Sequence, residues 1–305
     1  MLAMTSRLCS YILLVSFLIL THTSVEARDI HVNNRGGNDY WTGAVSSLTS
    51  GLGPVQTISR ALELASQGDR VVLANTGMPY RETLSLSAAK HCGIPGQPFV
   101  IEGNGAILDG SRPVPPTAWE FHRDNTFCVK PPRLGYQQLF LNGRPPKRIQ
   151  LEPNATEVPK LEPLQWCIFH GKIYFAVENE RTPHDYDLTC AYLPVGITLY
   201  HVHDVAIANL KVQGFQIDGV NAHDGTRDCI LSEVVSRGNG RSGVCIAGCS
   251  KLQMFDCVVG DNGTAQVYTE ALGAVSILGG DVLENTAPAF VREGGRIFVD
   301  GQPRE

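Results

Sequence analysis

Apolar and polar positions repeat along the second half of the chain. Segments beginning at residues 203, 227 and 250 align with offsets of 24 and 23 residues. Apolar residues alternate with polar ones within each segment, and Gly and Asn mark the turns between short strands. Four apolar columns align across the copies: Val205, Cys229 and Leu252; Ile207, Leu231 and Met254; Leu210, Val234 and Cys257; and Val220, Val244 and Val267.

A repeat of this length cannot bury its apolar face alone, so the copies are expected to stack around one shared core. The pair Asn239-Gly240 recurs as Asn262-Gly263, and a degenerate fourth copy follows from Gly273 with Asn285 and Phe290 in register. Leucine-rich repeats have a similar period, but their Leu/Asn consensus is absent. The pattern therefore predicts an all-β solenoid, a parallel β-helix with coils of about 23–24 residues.

The rest of the chain predicts three further parts. Residues 28–111 contain short strands broken by Gly and Pro, together with an amphipathic helix that would cover the open end of the core. Its apolar face consists of Ile58, Ala61, Leu62 and Ala65. Residues 112–195 interrupt the repeat with hairpin signals at Asn142-Gly143 and His170-Gly171, which predict a small antiparallel insertion. The β-helix coils resume over 196–305. The insertion's aromatic residues would either fill its core, which we favour, or stack on sugars: Trp119, Trp166, Tyr174 and Phe175.

The first residues predict export. An apolar run from Tyr11 to Leu20 follows Arg7, and the small residues Val25 and Ala27 have the spacing of a signal-peptidase site. The run is too short to cross a bilayer, which takes about 20 apolar residues. We expect a signal peptide over 1–27, no membrane span, and an extracellular or periplasmic protein. The net charge of −5 argues against a nucleic-acid partner.

Cysteine usage leaves alternatives open. Eight cysteines follow the predicted signal peptide, and an exported chain permits disulfides. Cys128 and Cys190 are one candidate pair across the insertion. Cys245 and Cys249 are spaced as C-x3-C, a weak metal signal, so buried thiols in an apolar stack are the preferred interpretation.

The segment "IHVNNRGGNDYWTG…PVQTISRALELASQGDRVVLANTGMPYRETLSL", followed by "GIPGQPFVIEGNGAILDG", resembles the opening of secreted right-handed parallel β-helix proteins of the pectate-lyase-like superfamily. The resemblance covers residues 29–110 and about 196–295. It implies a right-handed helix whose outer face binds an extended polysaccharide. The superfamily includes lyases, hydrolases, epimerases, adhesins and inactive members, so activity does not follow. Several β-helix glycoside hydrolases carry a similar insertion, which favours a hydrolase slightly.

The stretch "DGVNAHDGTRD", residues 218–228, concentrates the candidate chemistry. Side chains alternate along a strand, so Val220 and Ala222 would face the core while Asn221 and His223 face outward. Across successive coils two outward columns are expected: Asn221, Cys245 and Tyr268; and His223, Ala247 and Glu270. We expect substrate-binding roles for four residues of this face: Asn221, Tyr268, Arg237 and Arg241.

Three functions would use such a face. A hydrolase needs two carboxylates, roughly 5–5.5 Å apart for retention or 6.5–9.5 Å for inversion. Asp224 with Glu270 would suit the inverting range, and Asp218 with Asp224 is the alternative pair. A lyase would use His223, Arg237 or Arg241, with Ca²⁺ as a cofactor held by carboxylates of the same stretch, Asp218, Asp224 and Asp228. The third function is glycan binding without chemistry.

Several of these residues also have a purely structural interpretation. Asp204 and Asp228 occupy equivalent positions before a strand, and Asp261 lies in an Asn-Gly turn, so turn roles are favoured for all three. The last coil would leave an unpaired strand edge, through which the chain would self-associate. The sequence therefore predicts an extracellular polysaccharide-acting protein, with hydrolase slightly ahead of lyase. The alternative is a non-catalytic glycan-binding or surface-scaffold module.

Overall fold

A computed structural model describes residues 27–132 and 135–304. The amino-terminal part contains β1 (Asp29–Val32), α1 (Ile58–Leu64), β2 (Arg70–Leu73), β3 (Leu84–Ser87) and β4 (Phe99–Asp109). The middle part contains β5 (Ser111–Pro113), β6 (Glu120–Arg123), β7 (Thr126–Val129), β8 (Leu139–Leu141), β9 (Trp166–Phe169), β10 (Lys172–Ala176) and β11 (Leu188–Ala191), with 3₁₀ turns at Pro116–Ala118 and Pro183–Asp185. The last part contains β12 (Ile197–Tyr200), β13 (His203–Gln213), β14 (Asp218–His223), β15 (Arg227–Ser232), β16 (Val235–Arg237), β17 (Ser242–Ile246), β18 (Lys251–Phe255), β19 (Val258–Gly260), β20 (Ala265–Leu278), β21 (Asp281–Val282), β22 (Phe290–Val299) and β23 (Gln302–Arg304).

One large, mostly parallel sheet of 16 strands organises the chain. Its path runs β1-β2-β4-β13-β15-β18-β20-β17-β14-β12-β3, so it turns back through the long strand β20. The parallel strands β3, β12, β14, β17, the first part of β20 and the first part of β22 form what we call the front row. The sheet curls around a continuous apolar core. This arrangement is consistent with a parallel β-helix-like fold.

The registers confirm the apolar columns that the sequence predicts. Each position pairs with its equivalent one repeat later, and the side chains are buried except that of Phe290, which is partly buried. The paired sets are Val205, Cys229, Leu252 and Val275; Ile207, Leu231, Met254 and Ile277; and Val220, Val244, Val267 and Phe290. The third predicted column, Leu210, Val234 and Cys257, is also buried. Parallel stacking of one apolar pattern therefore builds the core.

The repeated Asn-Gly turns form a buried asparagine ladder. Asn239 Oδ1 accepts from the Phe215 amide at 3.1 Å, and the Asn239 amide donates to Asn262 Oδ1 at 2.8 Å. Asn262 Nδ2 in turn donates to Gln266 Oε1 at 2.8 Å. Because buried polar groups are costly unless paired, these bonds hold successive turns in one register.

The predicted amphipathic helix is present as α1. Thr57 begins it by accepting from the Arg60 amide at 3.1 Å, and Ile58, Ala61 and Leu62 are its buried residues. Asp69, just after the helix, accepts from the Ser66 amide at 2.8 Å. The helix contacts β1, β2 and β3 with its apolar face.

The strands between residues 111 and 191 pair with one another in antiparallel fashion. β5-β11-β8 form one sheet and β6-β7-β10-β9 another. His170 and Gly171, both with positive φ, join β9 to β10 as predicted, and Asn142-Gly143 makes a tight turn after β8. The aromatic residues fill the insertion's core, with Trp166 and Phe175 fully buried, Tyr174 nearly so and Trp119 packed against them. The sugar-stacking alternative is therefore wrong for Trp166, Tyr174 and Phe175, and it stays untested for Trp119, which is partly buried.

The eight cysteines of the described ranges are free thiols, so the Cys128–Cys190 disulfide prediction is wrong. Cys128 packs beside Tyr174 in one apolar cluster, whereas Cys190 lies opposite Leu139 in another. Of the eight, only Cys249 is exposed.

The predicted signal peptide lies, apart from Ala27, outside the described residues and stays a prediction. Within the described ranges no helix is long and apolar enough to cross a membrane.

The last strands cover part of the predicted open edge. β23 folds back antiparallel on β22, pairing with Ile297–Val299. Among the described strands, β22 otherwise pairs only with β20, along Phe290–Val299. Self-association through this edge stays a prediction, now restricted to the segment that β23 leaves uncovered.

Candidate functional site

The side chains that point away from the core along the front row form two columns. The first consists of Ser85, Thr198, Asn221, Cys245, Tyr268 and Val291. The second consists of Ser87, Tyr200 and His223, then Ala247, whose amide bonds Ala222 O, then Glu270 and Glu293. The predicted column Asn221–Cys245–Tyr268 is thus confirmed as a strand register.

The first column is less accessible than the alternation predicts. Cys245 is 0 % exposed and Tyr268 only 7 %, and they pack with Ala265 in a small cluster separate from the main core. Arg241 covers them, with its guanidinium carbon 5.3 Å from the Tyr268 ring centre and Nη2 3.4 Å from Cys245 Sγ. Burial, with a smaller contribution from the Asp218 charge, raises the pKa of Cys245, which keeps the thiol protonated. The Tyr268 ring is therefore packed beneath the outer face of the front row. It does not project from that face to stack on a sugar.

Asp218 is enclosed by other side chains. This finding corrects the prediction that Asp218 is a catalytic carboxylate at the edge of the outer face. It is the first residue of β14 and is 0 % exposed. Arg241 donates hydrogen bonds to both carboxylate oxygens of Asp218, from Nε to Oδ1 at 2.9 Å and from Nη2 to Oδ2 at 2.6 Å. Ser242 Oγ donates to Oδ1 at 2.6 Å, and Asn221 Nδ2 donates to Oδ2 at 2.7 Å. Every lone-pair direction of such a carboxylate is used by a protein donor, so Asp218 holds Arg241 in place.

Arg241 links this buried carboxylate to the surface. Its Nη1 donates to Glu270 Oε1 at 3.0 Å, and the Glu270 side chain is partly exposed. Burial alone would lower the pKa of Arg241, but the hydrogen bonds and charge of Asp218 outweigh it and raise that pKa. The guanidinium thus stays charged and holds the Glu270 side chain through this hydrogen bond.

Arg237 lies elsewhere, contrary to the prediction that it shares one substrate-binding face with Arg241. It ends strand β16, and its Nη2 is 3.0 Å from Asp261 Oδ2. β16 pairs with β13 and β19, outside the front row. A substrate-binding role in this groove does not fit that position.

Glu293 belongs to the site, and the sequence reasoning missed it. Its strand position pairs with Glu270 one repeat earlier, and adjacent strands lie about 4.8 Å apart. The Tyr268 hydroxyl is hydrogen-bonded to Glu293, and burial followed by that bond raises the pKa of Tyr268. The signal was the 23-residue spacing between the two glutamates, equal to the repeat. The repeat is degenerate beyond residue 265, so this spacing was not recognised in the sequence.

His223 and Asp224 form a local pair at the end of β14. His223 Nδ1 lies 3.0 Å from Asp224 Oδ2, and the His223 ring is 5.1 Å from that of Tyr200. Asp224 has φ of 55° and its carbonyl accepts from His201 Nδ1 at 2.6 Å, so its backbone serves a turn while its carboxylate remains accessible. His203 and Asp204 repeat the arrangement at 2.8 Å.

The remaining aspartates behave as turn residues. Asp204, Asp228 and Asp261 all adopt positive φ, a conformation that Asp tolerates better than most residues.

The carboxylates proposed for Ca²⁺ do not form a ligand set. Asp218 is occupied by Arg241, and Asp228 lies 3.8 Å from Arg227 Nε. Over the described ranges no three His, Cys, Asp or Glu side chains are grouped to hold a metal ion.

The insertion packs against the turn that carries Arg241. Gln138 Nε2 donates to Asp261 O at 3.4 Å, and Phe140 packs on Gly238. A methyl group added at Gly240 would lie 2.5 Å from the Tyr136 carbonyl oxygen and 2.2 Å from that of Gln216. Glycine is therefore required there, and the insertion borders the front row beside Arg241.

Comparison with known proteins relates the chain by fold. No protein-family model and no curated protein matches it. A solved structure titled "Glycoside hydrolase" superposes with a TM-score of 0.59 at 11% identity, covering 83% of this chain and 72% of that one. A second, titled "The complex structure of XylC with xylose", gives a TM-score of 0.42 at 11% identity, covering 89% and 69%. At this identity the first likeness shows a shared fold.

Proposed function

We propose that the protein is a secreted hydrolase of an uncharged extracellular polysaccharide, with Glu270 and Glu293 as its carboxylate pair. The observation that carries the proposal is their placement on adjacent strands of one accessible face, with Arg241 bound to Glu270. In this proposal the parallel rows of strands are coils of a right-handed solenoid. The mature protein is released after cleavage of the predicted signal peptide. The fold likeness to a structure titled "Glycoside hydrolase" agrees with this proposal.

The two glutamates differ in surroundings, which suggests their roles. Glu270 is held by a hydrogen bond from Arg241, which fixes its carboxylate on the accessible face, so it is assigned the role of nucleophile toward the anomeric carbon. Glu293 is exposed and hydrogen-bonded to the Tyr268 hydroxyl, so it can reach the leaving oxygen and is assigned the role of acid and base. As Glu270 bonds to the anomeric carbon, the glycosidic C–O bond breaks and Glu293 gives its proton to the leaving oxygen. Water then attacks the anomeric carbon of the glycosyl ester while Glu293 removes a proton from that water, and the bond between the anomeric carbon and Glu270 breaks, which regenerates both side chains.

Strand spacing favours retention of anomeric configuration. Adjacent strands lie about 4.8 Å apart, close to the roughly 5–5.5 Å between carboxyl groups of retaining enzymes. The pair Asp224 with Glu270, two repeats apart, remains the inverting alternative.

A lyase is less well supported. Abstraction of a proton next to a uronate needs a cation that neutralises the uronate carboxylate. Arg241, the cation at the centre of this face, is already bound by Asp218 and Glu270. An incoming uronate would have to displace one of them.

The test is cleavage of a panel of neutral and acidic polysaccharides, with and without Ca²⁺, by the mature chain. Glu270→Gln and Glu293→Gln should each lower activity by about 10²–10⁴-fold, while Glu284→Gln, an exposed glutamate outside the front row, should not. New reducing ends without ultraviolet-absorbing unsaturated uronides would support hydrolysis, and NMR of the first product would report its anomer.

Other outcomes are equally informative. Unsaturated products would establish a lyase. Full activity of Glu293→Gln, with loss in Asp224→Asn and an inverted product, would select the alternative pair. Saturable binding without any product would leave the non-catalytic glycan-binding module.

A further inference from the structure

We infer that Tyr200 and His223 form an aromatic platform that binds a sugar ring remote from the reacting carboxylates, so that the substrate is a chain of several sugars lying along the front row. This inference rests on the proposed function and adds a site and a substrate length to it.

The platform stands on the same column as the glutamates. Tyr200 and His223 pair in the register of β12 and β14, and both side chains point away from the core. Tyr200 is 47 % exposed, so part of its ring is open to a ligand. Its ring lies 5.1 Å from that of His223, with 60° between their planes.

The platform is held in a fixed geometry. Asp224 Oδ2 lies 3.0 Å from His223 Nδ1, which orients the imidazole, and the imidazole supports one side of the tyrosine ring. A rigid aromatic face loses little conformational freedom on binding, so its contact area contributes to affinity.

The chemistry of the two ring systems fits a sugar. A pyranose presents C–H groups on its face and hydroxyl groups on its edge. The faces of Tyr200 and His223 supply apolar contact, while the phenol and the imidazole supply hydrogen-bonding groups at their edges.

The column sets the length of the ligand. Ala247, a small side chain, follows His223 and precedes Glu270. Tyr200 therefore lies three strand spacings from Glu270 and four from Glu293, or about 14 and 19 Å at 4.8 Å each. A single sugar cannot touch both places, whereas a chain laid over Ala247 can.

The experiment compares chain lengths. Oligosaccharides from dimer to hexamer, prepared from the polysaccharide that the wild type cleaves, are tested with Tyr200→Ala. Its loss in kcat/KM should grow with chain length and exceed the loss on the dimer by about tenfold for the hexamer, as expected for one aromatic contact. Tyr200→Phe should retain most of the wild-type length dependence. Tyr40→Ala, a tyrosine 95 % exposed in the amino-terminal loop, is the matched control and should change neither value.

Binding provides a second readout. Hexamer affinity measured by calorimetry on Glu270→Gln should fall about tenfold when Tyr200→Ala is added. Equal losses on dimer and hexamer, or unchanged hexamer affinity, would overturn the platform and leave the proposed function standing. If the wild type binds a hexamer of one panel polysaccharide without cleaving any of them, the proposed function fails, and equal binding of that hexamer by Tyr200→Ala would remove the platform as well.

Discussion

Removal of the Arg241 side chain tests the electrostatic framework of the site. In Arg241→Met the buried Asp218 carboxylate loses two charge-assisted hydrogen bonds and keeps only those from Ser242 and Asn221. Asp218 has no route to water, since it is 0 % exposed. We therefore expect the variant to be strongly destabilised as well as inactive.

The size of the effect follows from the burial of the anion. Breaking a buried pair by removing one partner costs about 3–5 kcal/mol. For a chain of this size, each kcal/mol lowers Tm by about 2–4 °C, so the midpoint should fall by about 6–20 °C. The Glu270 contact adds little, because that carboxylate is partly exposed and can turn to solvent.

The assay is urea unfolding followed by circular dichroism and tryptophan fluorescence, with thermal unfolding as a check. The double variant Asp218→Asn/Arg241→Met is the matched control, since it removes both charges together. It should be more stable than Arg241→Met alone. A loss below about 1 kcal/mol in Arg241→Met, or a double variant no more stable than that single one, would refute the buried-anion reasoning.

Three further predictions concern the scaffold. Asn239→Ala should lower the free energy of unfolding by about 1–3 kcal/mol, because it leaves buried donors and acceptors of the ladder unpaired; urea unfolding measures it, and an unchanged midpoint would contradict the ladder's role. Burial raises the pKa of Asp69, but bonds from Arg28 and Ser66 outweigh it and hold that pKa below its ordinary 3.8. The stabilisation that the Asp69 carboxylate gives the folded state is therefore present above pH 3.8 and lost as pH falls through the lower pKa of Asp69 in the folded protein. The difference in unfolding free energy between wild type and Asp69→Asn should shrink over that fall in pH. Secretion from a eukaryotic host should place glycan on the exposed sequon at Asn154 and not on Asn262, whose Nδ2 is buried and hydrogen-bonded. Peptide mass spectrometry measures the occupancy of both sites, and glycan at Asn262 in folded protein would disprove the prediction.

The repeat was readable from the sequence because parallel stacking copies one local pattern. Val205 and Val220 begin apolar columns that recur every 23–24 residues, and each column became a buried register in the structure. The turns at Asn239 and Asn262 and the hairpin at His170 were equally local, because the residue types that favour them act within a few positions.

Alternation also predicted which side chains point outward, but not which of them reach solvent. Cys245 and Tyr268 point away from the core, yet Arg241 covers them from the turn just before the strand that carries Cys245. The same arginine enclosed Asp218 and removed it from the accessible carboxylates. These contacts depend on the path of one long side chain, which strand periodicity does not specify.

The sequence by itself determined the repeat, the direction of each strand side chain and the presence of an antiparallel insertion, because hydrophobic alternation and turn chemistry act over neighbouring residues. Only the tertiary structure decided that Glu293 joins Glu270, that Arg237 leaves the groove and that the Cys128–Cys190 disulfide does not form. Each of these depends on distances between residues far apart in the chain. Such distances are set by how whole strands stack. That stacking also decides which charged side chain pairs with a buried polar group.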